Sequence, residues 1–402
     1  MNVNTVKLRN PLTRTDTYKF THHDQVPEGM EKMYSHLTPR HNKYLKRRFP
    51  TTPDKVVVYG IQSYLRKLKL NWKENFFDVA WDKIEQATLE ILTPHIGFTV
   101  ENMERFKQLH DLGYLPLRIK ALAEGSHVNL NIPILTVTNT IKKFHWLPNF
   151  LEPTILNHIY KPTTVATLTL ELAKLRNRYV AETCPNSLGV PYMLHAFDFR
   201  GHPDGSAETS GSAYTLFTYG TDTLVGIADA QEMYDTVDAV AHSIPALEHS
   251  TATLGIQMYR NALNIYDAIT EEELTNDKDA VDILAEKLNL SVDVVTPAYL
   301  SARSVSDYMK AINKPQEQIE LAVGEVFNLV RLLLKVYPTG TFAYVADSYS
   351  YPRLISVILP AIASVIKNRD GKIVIRPDSG DPVQIVTGRL DISPSIAISQ
   401  AI

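Results

Sequence analysis

Short apolar segments that each end in a polar loop are the feature of this sequence that most constrains its fold. From about Pro162 onward they alternate with helical segments, and the loops are residues 195–201, 219–223, 248–251, 344–349 and 376–380. Such alternation of strand, loop and helix is typical of a parallel sheet or barrel. Because the carboxyl ends of parallel strands meet on one face, the pattern predicts that these loops converge.

The first part of the chain follows a different pattern, in which short β-like runs are mixed with helical patterns. The predicted strands are residues 56–59, 117–123 and 134–137, and the predicted helices are residues 61–70 and 76–92. We therefore predict an α+β N-terminal domain at residues 1–160 and a β/α catalytic domain at residues 161–402. Within the second domain, helices are predicted at residues 163–182, 280–288, 298–312 and 316–335. The helix-rich interval at about 268–335 is interpreted as an inserted helical lobe.

Composition excludes several classes of protein. The 402 residues carry 41 basic and 44 acidic side chains, so no electrostatic footprint for nucleic acid or an anionic membrane is expected. The single cysteine, Cys184, rules out an internal disulfide, and the absence of Cys-x-x-Cys spacing argues against structural zinc. The most apolar stretch, residues 354–366, is short and interrupted by Pro360. We expect a cytoplasmic protein that binds neither nucleic acid nor membrane.

Three residues at the predicted strand ends are candidates for catalysis. His249 follows one apolar run, and Arg376 and Asp378 follow another. Two residues apart on a strand, Arg376 and Asp378 point the same way. The arginine can bind a phosphate oxygen while the aspartate accepts from a sugar hydroxyl, which favours phosphoribosyl chemistry. A structural ion pair is the alternative interpretation.

Two further residues at the predicted strand ends, Phe197 and Asp222, have a structural interpretation on sequence grounds alone. Phe197 could be a core aromatic at the end of a strand, and Asp222, in Gly-Thr-Asp-Thr, could be a turn or N-cap residue.

A collinear set of short motifs resembles the nicotinamide phosphoribosyltransferase family. Each motif alone would be weak evidence, but their common order over residues 11 to about 390, apart from the helical interval, is specific. The motifs are residues 15–19 (Thr-Asp-Thr-Tyr-Lys), 58–62, 123–125, 160–167, 220–223, 248–251 and 376–380. The resemblance implies an irregular, incomplete β/α barrel of the type II phosphoribosyltransferase kind.

The resemblance also implies a function. Family enzymes transfer the phosphoribosyl group of phosphoribosyl pyrophosphate to nicotinamide, which gives nicotinamide mononucleotide and pyrophosphate in NAD salvage. The reaction is coupled to ATP through a phosphohistidine, for which His249 is the matching residue, and Mg²⁺ accompanies the pyrophosphate. No dedicated protein cage for the metal is apparent in the sequence.

The remaining roles are carried over position by position, and they imply a homodimer with shared active sites. Phe197 and Tyr18 of the other subunit would sandwich the pyridine ring, and Asp222 would select the amide over the acid. Arg200 is expected at the substrate's carbonyl or phosphate, and Arg40 of the other subunit at the 5′-phosphate. Arg376 and Asp378 are expected at the phosphate and ribose groups, with Asp16 as an outer contact.

Two departures from the family pattern carry expectations of their own. Ser350 stands where a family carboxylate is expected near the catalytic histidine, which predicts a poorly oriented His249. Residues 390–402 no longer resemble the family, and no glycine-rich phosphate loop follows, which predicts a C-terminally truncated chain. The alternatives are accordingly a non-catalytic remnant of the enzyme or, within the same fold, a nicotinate phosphoribosyltransferase.

Overall fold

The computed structural model describes residues 3–203, 205–274 and 278–388. Backbone contacts divide the chain into two compact units, Met1–Ser243 and Ile244–Ile402. Compactness alone does not define a domain, so the predicted limits at residues 1–160 and 161–402 stay predictions. The predicted departure from the family at residues 390–402 lies outside the described residues.

The first unit combines antiparallel sheets with helices. Its strands are β1 (Tyr34–Leu37), β2 (Lys55–Val57), β3 (Leu117–Ala121), β4 (His127–Asn129), β5 (Leu135–Asn139), β6 (His195–Ala196) and β7 (Gly220–Thr221). Its helices are α1 (Val3–Arg9), α2 (His22–Gln25), α3 (Lys43–Arg48), α4 (Ile61–Trp72), α5 (Trp81–Ile96), α6 (Glu104–Leu112), α7 (Leu147–Phe150), α8 (Glu152–Thr183), α9 (Ala207–Tyr214) and α10 (Leu224–Tyr234).

The antiparallel part of this unit follows the alternation of its side chains. Strands pair in the order β1-β5-β3, and β2 pairs with β4. In β5, Leu135 and Val137 face the core while the intervening threonines are half-buried, as expected for a sheet with one buried face. The strands predicted at residues 56–59, 117–123 and 134–137 are confirmed to within two residues at every end.

One predicted helix of the first unit begins later than expected. The pattern at residues 76–92 predicts an unbroken helix, but residues 73–77 complete one turn of π-helix and the chain leaves the helix before α5 begins at Trp81. The buried ring of Phe76 packs against Trp72, with 5.0 Å between ring centroids. Core packing of this aromatic pair overrides local helical periodicity.

The motif at residues 160–167 lies within helix α8. The predicted helix at residues 163–182 is confirmed, although it begins at Glu152 and contains Pro162. Thr163 Oγ1 donates to the carbonyl of Tyr59 at 3.1 Å, and Thr167 Oγ1 accepts from the N–H of Val57 at 2.9 Å. These threonines thus attach the helix to the chain at and just after β2.

Parallel pairing appears in both units. In the first, β6 pairs with β7, and Gly220 also forms a parallel bridge with His242. In the second, β8 (Thr339–Val345) and β9 (Asp370–Arg376) pair along their whole length, and Ala246 bridges Ala343 in parallel. The chain is thus mixed α/β with short parallel pairs followed by the predicted loops, while closure into a barrel stays a prediction.

Helices make up most of the second unit. They are α11 (His249–Tyr259), α12 (Ala262–Asp267), α13 (Ala280–Leu288), α14 (Val292–Ala311), α15 (Gln316–Arg331), α16 (Tyr351–Arg353), α17 (Leu359–Ala361), α18 (Ala363–Asn368) and α19 (Pro382–Thr387).

The predicted helix at 280–288 is confirmed, and α14 begins six residues before the predicted start at 298. Residues of α14, α15 and β8 share one apolar core. The limits of the predicted lobe stay a prediction. No described helix is long and apolar enough to cross a membrane.

A close contact between α11 and α15 depends on a glycine. A Cβ atom added at Gly324 would lie 2.1 Å from the carbonyl oxygen of Ile256, which is backbone and cannot move aside. We expect Gly324→Ala to destabilise the protein by about 1–3 kcal/mol through overpacking, despite the better helix propensity of alanine. Chemical denaturation measures this change.

Gly189→Ala is the control for that substitution, because its added methyl group would meet only Ser187 Oγ, at 3.6 Å. It should change the free energy of unfolding by less than Gly324→Ala does. Equal stability of Gly324→Ala and the wild type would show that the two helices can separate at no cost.

Candidate functional site

The parallel pair β6-β7 brings both Asp222 and Phe197 to the imidazole of His195. The backbone N–H of Asp222 donates to the carbonyl of Ala196 at 2.8 Å, which continues the pairing of the two strands. Asp222 Oδ1 accepts from Ser243 Oγ at 2.7 Å, and Oδ2 lies 3.1 Å from His195 Nε2. The carboxylate is therefore fixed through both of its oxygens, and it caps no helix.

Phe197 presents its ring to solvent. The residue is 47% exposed, and its ring centroid lies 4.9 Å from that of His195 at an interplanar angle of 41°. The alternative interpretation of Phe197 as a core aromatic is therefore wrong. An exposed aromatic ring next to a fixed carboxylate can hold a flat ring that carries N–H groups. Arg200 follows on an exposed single turn, Phe199–Gly201.

His195 and Ser243 are site residues that the sequence interpretation missed. His195 stands first in the loop 195–201, and Ser243 lies 21 residues beyond Asp222. Nothing in local sequence pairs either residue with Asp222, because the contacts arise from the neighbouring position of three chain segments. The polar residue at the start of the loop was the one available signal.

Tyr18 and Asp16 form a separate exposed group in the first unit. Tyr18 is 55% exposed, its hydroxyl donates to Asp16 Oδ2 at 3.2 Å, and its ring packs against His22. The hydrogen bond from Tyr18 to Asp16, together with the negative charge of that carboxylate, raises the pKa of Tyr18. None of the partners found for Tyr18 belongs to the loops at 195–201 or 219–223.

Arg40 lines a groove with a volume of about 340 Å³. The groove also contains Tyr44 and Tyr160, whose side chains are largely exposed. The structure of one chain brings neither Arg40 nor Tyr18 into the group around Asp222 by any described contact. Both residues were expected to act from a neighbouring subunit.

His249 is the first residue of α11 in the second unit. A reciprocal capping arrangement precedes it, in which Glu248 accepts from the backbone N–H of Thr251 and Thr251 accepts from that of Glu248. The motif at residues 248–251 thus has a local structural purpose, since it fixes the start of the helix. The side chain of His249 remains 48% exposed.

Carboxylates lie near both ring nitrogens of His249. Nε2 is 3.2 Å from Asp347 Oδ1, and Nδ1 is 3.9 Å from Asp378 Oδ2. Ser379 Oγ donates to Asp347 Oδ2 at 2.5 Å. Burial alone would raise the pKa of Asp347, but hydrogen bonds from Ser379, the Asp378 backbone and His249 lower it below its usual value. Asp347 is therefore ionised at neutral pH and orients the imidazole.

The expectation that Ser350 leaves His249 poorly oriented is wrong. The chain leaves β8 after Val345, so that Asp347 reaches His249. Ser350 instead begins α16, where its Oγ accepts from the N–H of Arg353 at 3.3 Å. The carboxylate that orients His249 comes from an earlier position in the loop than the sequence comparison suggested.

Arg376 and Asp378 both approach the segment that carries His249. Arg376 is the last residue of β9, and its Nη2 donates to the carbonyl of Leu247 at 2.6 Å. Asp378 is exposed beside His249. The two residues thus contact the same segment, while their predicted common direction and their roles toward phosphate and ribose stay predictions. Within the described ranges, no cluster of three or more His, Cys, Asp or Glu residues could hold a metal ion.

Comparisons with known proteins show similarity first in fold and then in sequence. A crystal structure of human nicotinic acid phosphoribosyltransferase matches 93% of this chain and 62% of its own, with a TM-score of 0.54 and 17% identity. This likeness shows the fold alone, which is mixed α/β and similar to that of a type II phosphoribosyltransferase. Residues 10–119 match the nicotinamide phosphoribosyltransferase N-terminal domain.

Two relatives extend the match along the chain. The nicotinamide phosphoribosyltransferase of Acinetobacter baylyi is 30% identical over 390 residues, which are 95% of this chain and 64% of that protein. That of Xanthomonas campestris pv. campestris is 31% identical over 64% of this chain and 52% of its own length. The chain is therefore a homologue of the nicotinamide phosphoribosyltransferases, and the resemblance predicted from its sequence is confirmed. It spans less than two thirds of the length of these relatives.

Proposed function

We propose that this chain transfers the phosphoribosyl group of phosphoribosyl pyrophosphate to nicotinamide, giving nicotinamide mononucleotide and pyrophosphate in NAD salvage. The observation that carries the proposal is the carboxylate of Asp222, fixed by Ser243 and His195 next to the exposed ring of Phe197. The names of the homologous proteins support the same reaction.

Asp222 is the basis for selecting an amide. Among the described residues, Ser243 is the partner found for one of its oxygens and His195 for the other, which leaves lone pairs that can accept the carboxamide N–H of nicotinamide. The carboxylate of nicotinate would meet a negative charge at the same place and be repelled. Phe197 covers one face of the pyridine ring, and Tyr18 of a second subunit covers the other. The proposed protein is thus a homodimer with shared sites.

Phosphoribosyl transfer needs positioning more than a nucleophilic side chain. The reaction passes through an oxocarbenium-like state, which is stabilised by orientation and by compensation of separated charge. We assign Arg376 and Asp378 to the phosphate and ribose groups, Arg200 to the substrate's carbonyl or phosphate, and Arg40 to the 5′-phosphate across the dimer. Mg²⁺ arrives with the pyrophosphate as part of the substrate, with Asp16 as an outer contact.

His249 couples the reaction to ATP in this proposal. Its Nε2 carries the proton that points at Asp347, which leaves the lone pair on Nδ1 as the nucleophile. Attack on the terminal phosphorus forms an N–P bond as the P–O bond to ADP breaks. Asp347 stabilises the positive charge that develops on the ring.

A preference for nicotinate is the nearest alternative, since the human nicotinic acid enzyme has the same fold. Asp222 argues against it. A protein that binds nicotinamide without turnover is the other alternative, and the kinetic experiment below distinguishes all three.

Asp222→Asn should remove the discrimination between amide and acid. We expect the wild type to use nicotinamide in preference to nicotinate, and the variant to lose about 10- to 100-fold in kcat/KM for nicotinamide, the worth of a charge-assisted hydrogen bond. Steady-state rates with both substrates measure this. Ser243→Ala, which keeps the carboxylate but removes one of the two residues that fix it, should retain a smaller preference for nicotinamide.

A wild type that is faster with nicotinate, or an Asp222→Asn variant with an unchanged ratio, contradicts the role of Asp222. Saturable binding of nicotinamide with no product from either substrate would instead identify a non-catalytic protein.

Incubation with γ-labelled ATP should produce acid-labile phosphate on the protein, because a phosphoramidate hydrolyses in acid. His249→Ala should abolish the label, and Asp347→Asn should slow its appearance by at least about tenfold, since the imidazole then loses the carboxylate that orients it. His41→Ala, which changes an exposed histidine elsewhere, is the control. Labelling of His249→Ala at the wild-type level would refute the phosphohistidine.

Mixing of variants tests the shared sites. Random pairing of Tyr18→Ala and Asp222→Ala chains gives about half heterodimers, each with one intact site, so that about a quarter of wild-type activity should return. A mixture of Phe197→Ala and Asp222→Ala, which alter the same side of the site, should stay inactive. If the first mixture is no more active than its components, Tyr18 does not act across subunits.

A further inference from the structure

A fully buried carboxylate contacts residues on both sides of Asp347 in the chain. Glu325, on α15, has a side chain only 1% exposed. Its Oε1 accepts from the hydroxyl of Tyr344 at 3.2 Å, and Arg353 Nη2 lies 3.4 Å from its Oε2. Tyr344 precedes Asp347 by three residues in the chain, and Arg353 follows it by six. One carboxylate thus contacts the chain on both sides of the loop that presents Asp347.

Arg353 strengthens the far side of this arrangement. Its Nη1 lies 3.4 Å from the carbonyl of Gln318, which also belongs to α15. Its backbone N–H donates to Ser350 at the end of the loop. The loop between β8 and α16 is therefore attached to α15 at each end, while Asp347 in its middle reaches His249.

The same turn of α15 also fixes the helix that begins with His249. Gly324 lies against the backbone of α11 at Ile256, and Gly255 of α11 lies against Asn328. Neighbouring residues of α15 therefore contact both elements whose side chains meet in the pair. A shift of α15 relative to either element would change the distance between the imidazole and the carboxylate.

Burial of the Glu325 carboxylate has a cost in the free energy of folding. Complete burial raises its pKa to about 7, against the opposing charge of Arg353 and the hydrogen bond from Tyr344. A buried ion pair of this kind is often no more stabilising than apolar residues of the same volume. Stability therefore does not explain why the pair is present. Its effect on the position of the loop does.

We propose that Glu325 is a positioning residue, which holds Asp347 against His249 by clamping the chain through Tyr344 and Arg353. The proposal deepens the proposed function and rests on it, because the pair it positions is the one assigned to ATP coupling. Glu325 itself touches neither substrate nor the reacting atoms.

The test compares Tyr344→Phe and Glu325→Gln with the wild type by modification of histidine with diethyl pyrocarbonate, followed by peptide mass spectrometry. Loss of the clamp frees Nε2 of His249 from Asp347, so carbethoxylation of His249 should become about fivefold faster, the equivalent of one modest hydrogen bond. His41, which is exposed, is the internal reference and should react at the same rate throughout.

Ser301→Ala is the matched control. Ser301 is a buried residue of the same unit, and its hydroxyl donates to the carbonyl of Ala361 at 3.1 Å, away from the loop. It should leave the reactivity of His249 unchanged. Tyr344→Phe removes one oxygen and keeps the ring in the core, so it remains informative if Glu325→Gln fails to fold.

The same variants should show slower labelling by ATP with an unchanged KM for nicotinamide, a split that general destabilisation would not produce. Wild-type reactivity of His249 in folded Tyr344→Phe, or an equal increase in Ser301→Ala, would overturn the proposal. Since carbethoxylation needs no turnover, the positioning role can fail while the wild type is labelled by ATP, and it can succeed when no labelling occurs.

Discussion

Parallel pairing of short strands is the constraint on which both candidate groups depend. Side chains that follow neighbouring parallel strands emerge at the same edge, so residues far apart in sequence meet there. Asp222 reaches His195 because β7 lies beside β6, and Asp347 and Asp378 reach the His249 segment because β8 and β9 pair and Ala246 bridges β8. Each unit consequently presents an imidazole and a carboxylate at the ends of its parallel strands.

Both units support these edges in a similar way, with a buried acid and a close glycine contact. In the first unit, Asp229 on α10 accepts from Ser63 and Ser212 and pairs with Lys67, at 2.6 Å. A Cβ atom at Gly226 would lie 2.5 Å from the backbone of Gly211, so α9 and α10 pack backbone to backbone. Helix α10 begins two residues after Asp222. The fixed position of this helix therefore also fixes the end of the loop that carries Asp222.

Sequence patterns located the elements that local chemistry determines. The ends of β6, β8 and β9, the helix at 280–288 and the start of α15 follow from apolar periodicity and from polar residues at strand ends. The start of α5 does not follow from this periodicity, because burial of Phe76 ends the preceding helix. Two contacts depend instead on how segments distant in sequence meet. One is between Asp222 and Ser243, and the other is between His249 and Asp347, where the sequence had pointed to position 350. Periodicity carries no information about such contacts, nor about the contacts of Glu325, which lies among the consecutive buried residues 321–330 of α15.

Selectivity for an amide requires more than the presence of an aspartate. A carboxylate on an unrestrained loop can turn away from a repelling substrate, and the cost of accepting nicotinate would then be small. With Ser243 on Oδ1 and His195 near Oδ2, Asp222 cannot rotate without breaking hydrogen bonds. In the proposed function, the substrate then bears the repulsion, which raises the discrimination between the two ligands. The specificity that we propose is accordingly a property of the hydrogen-bonded group of three residues, and two of its members lie outside the motif that carries Asp222.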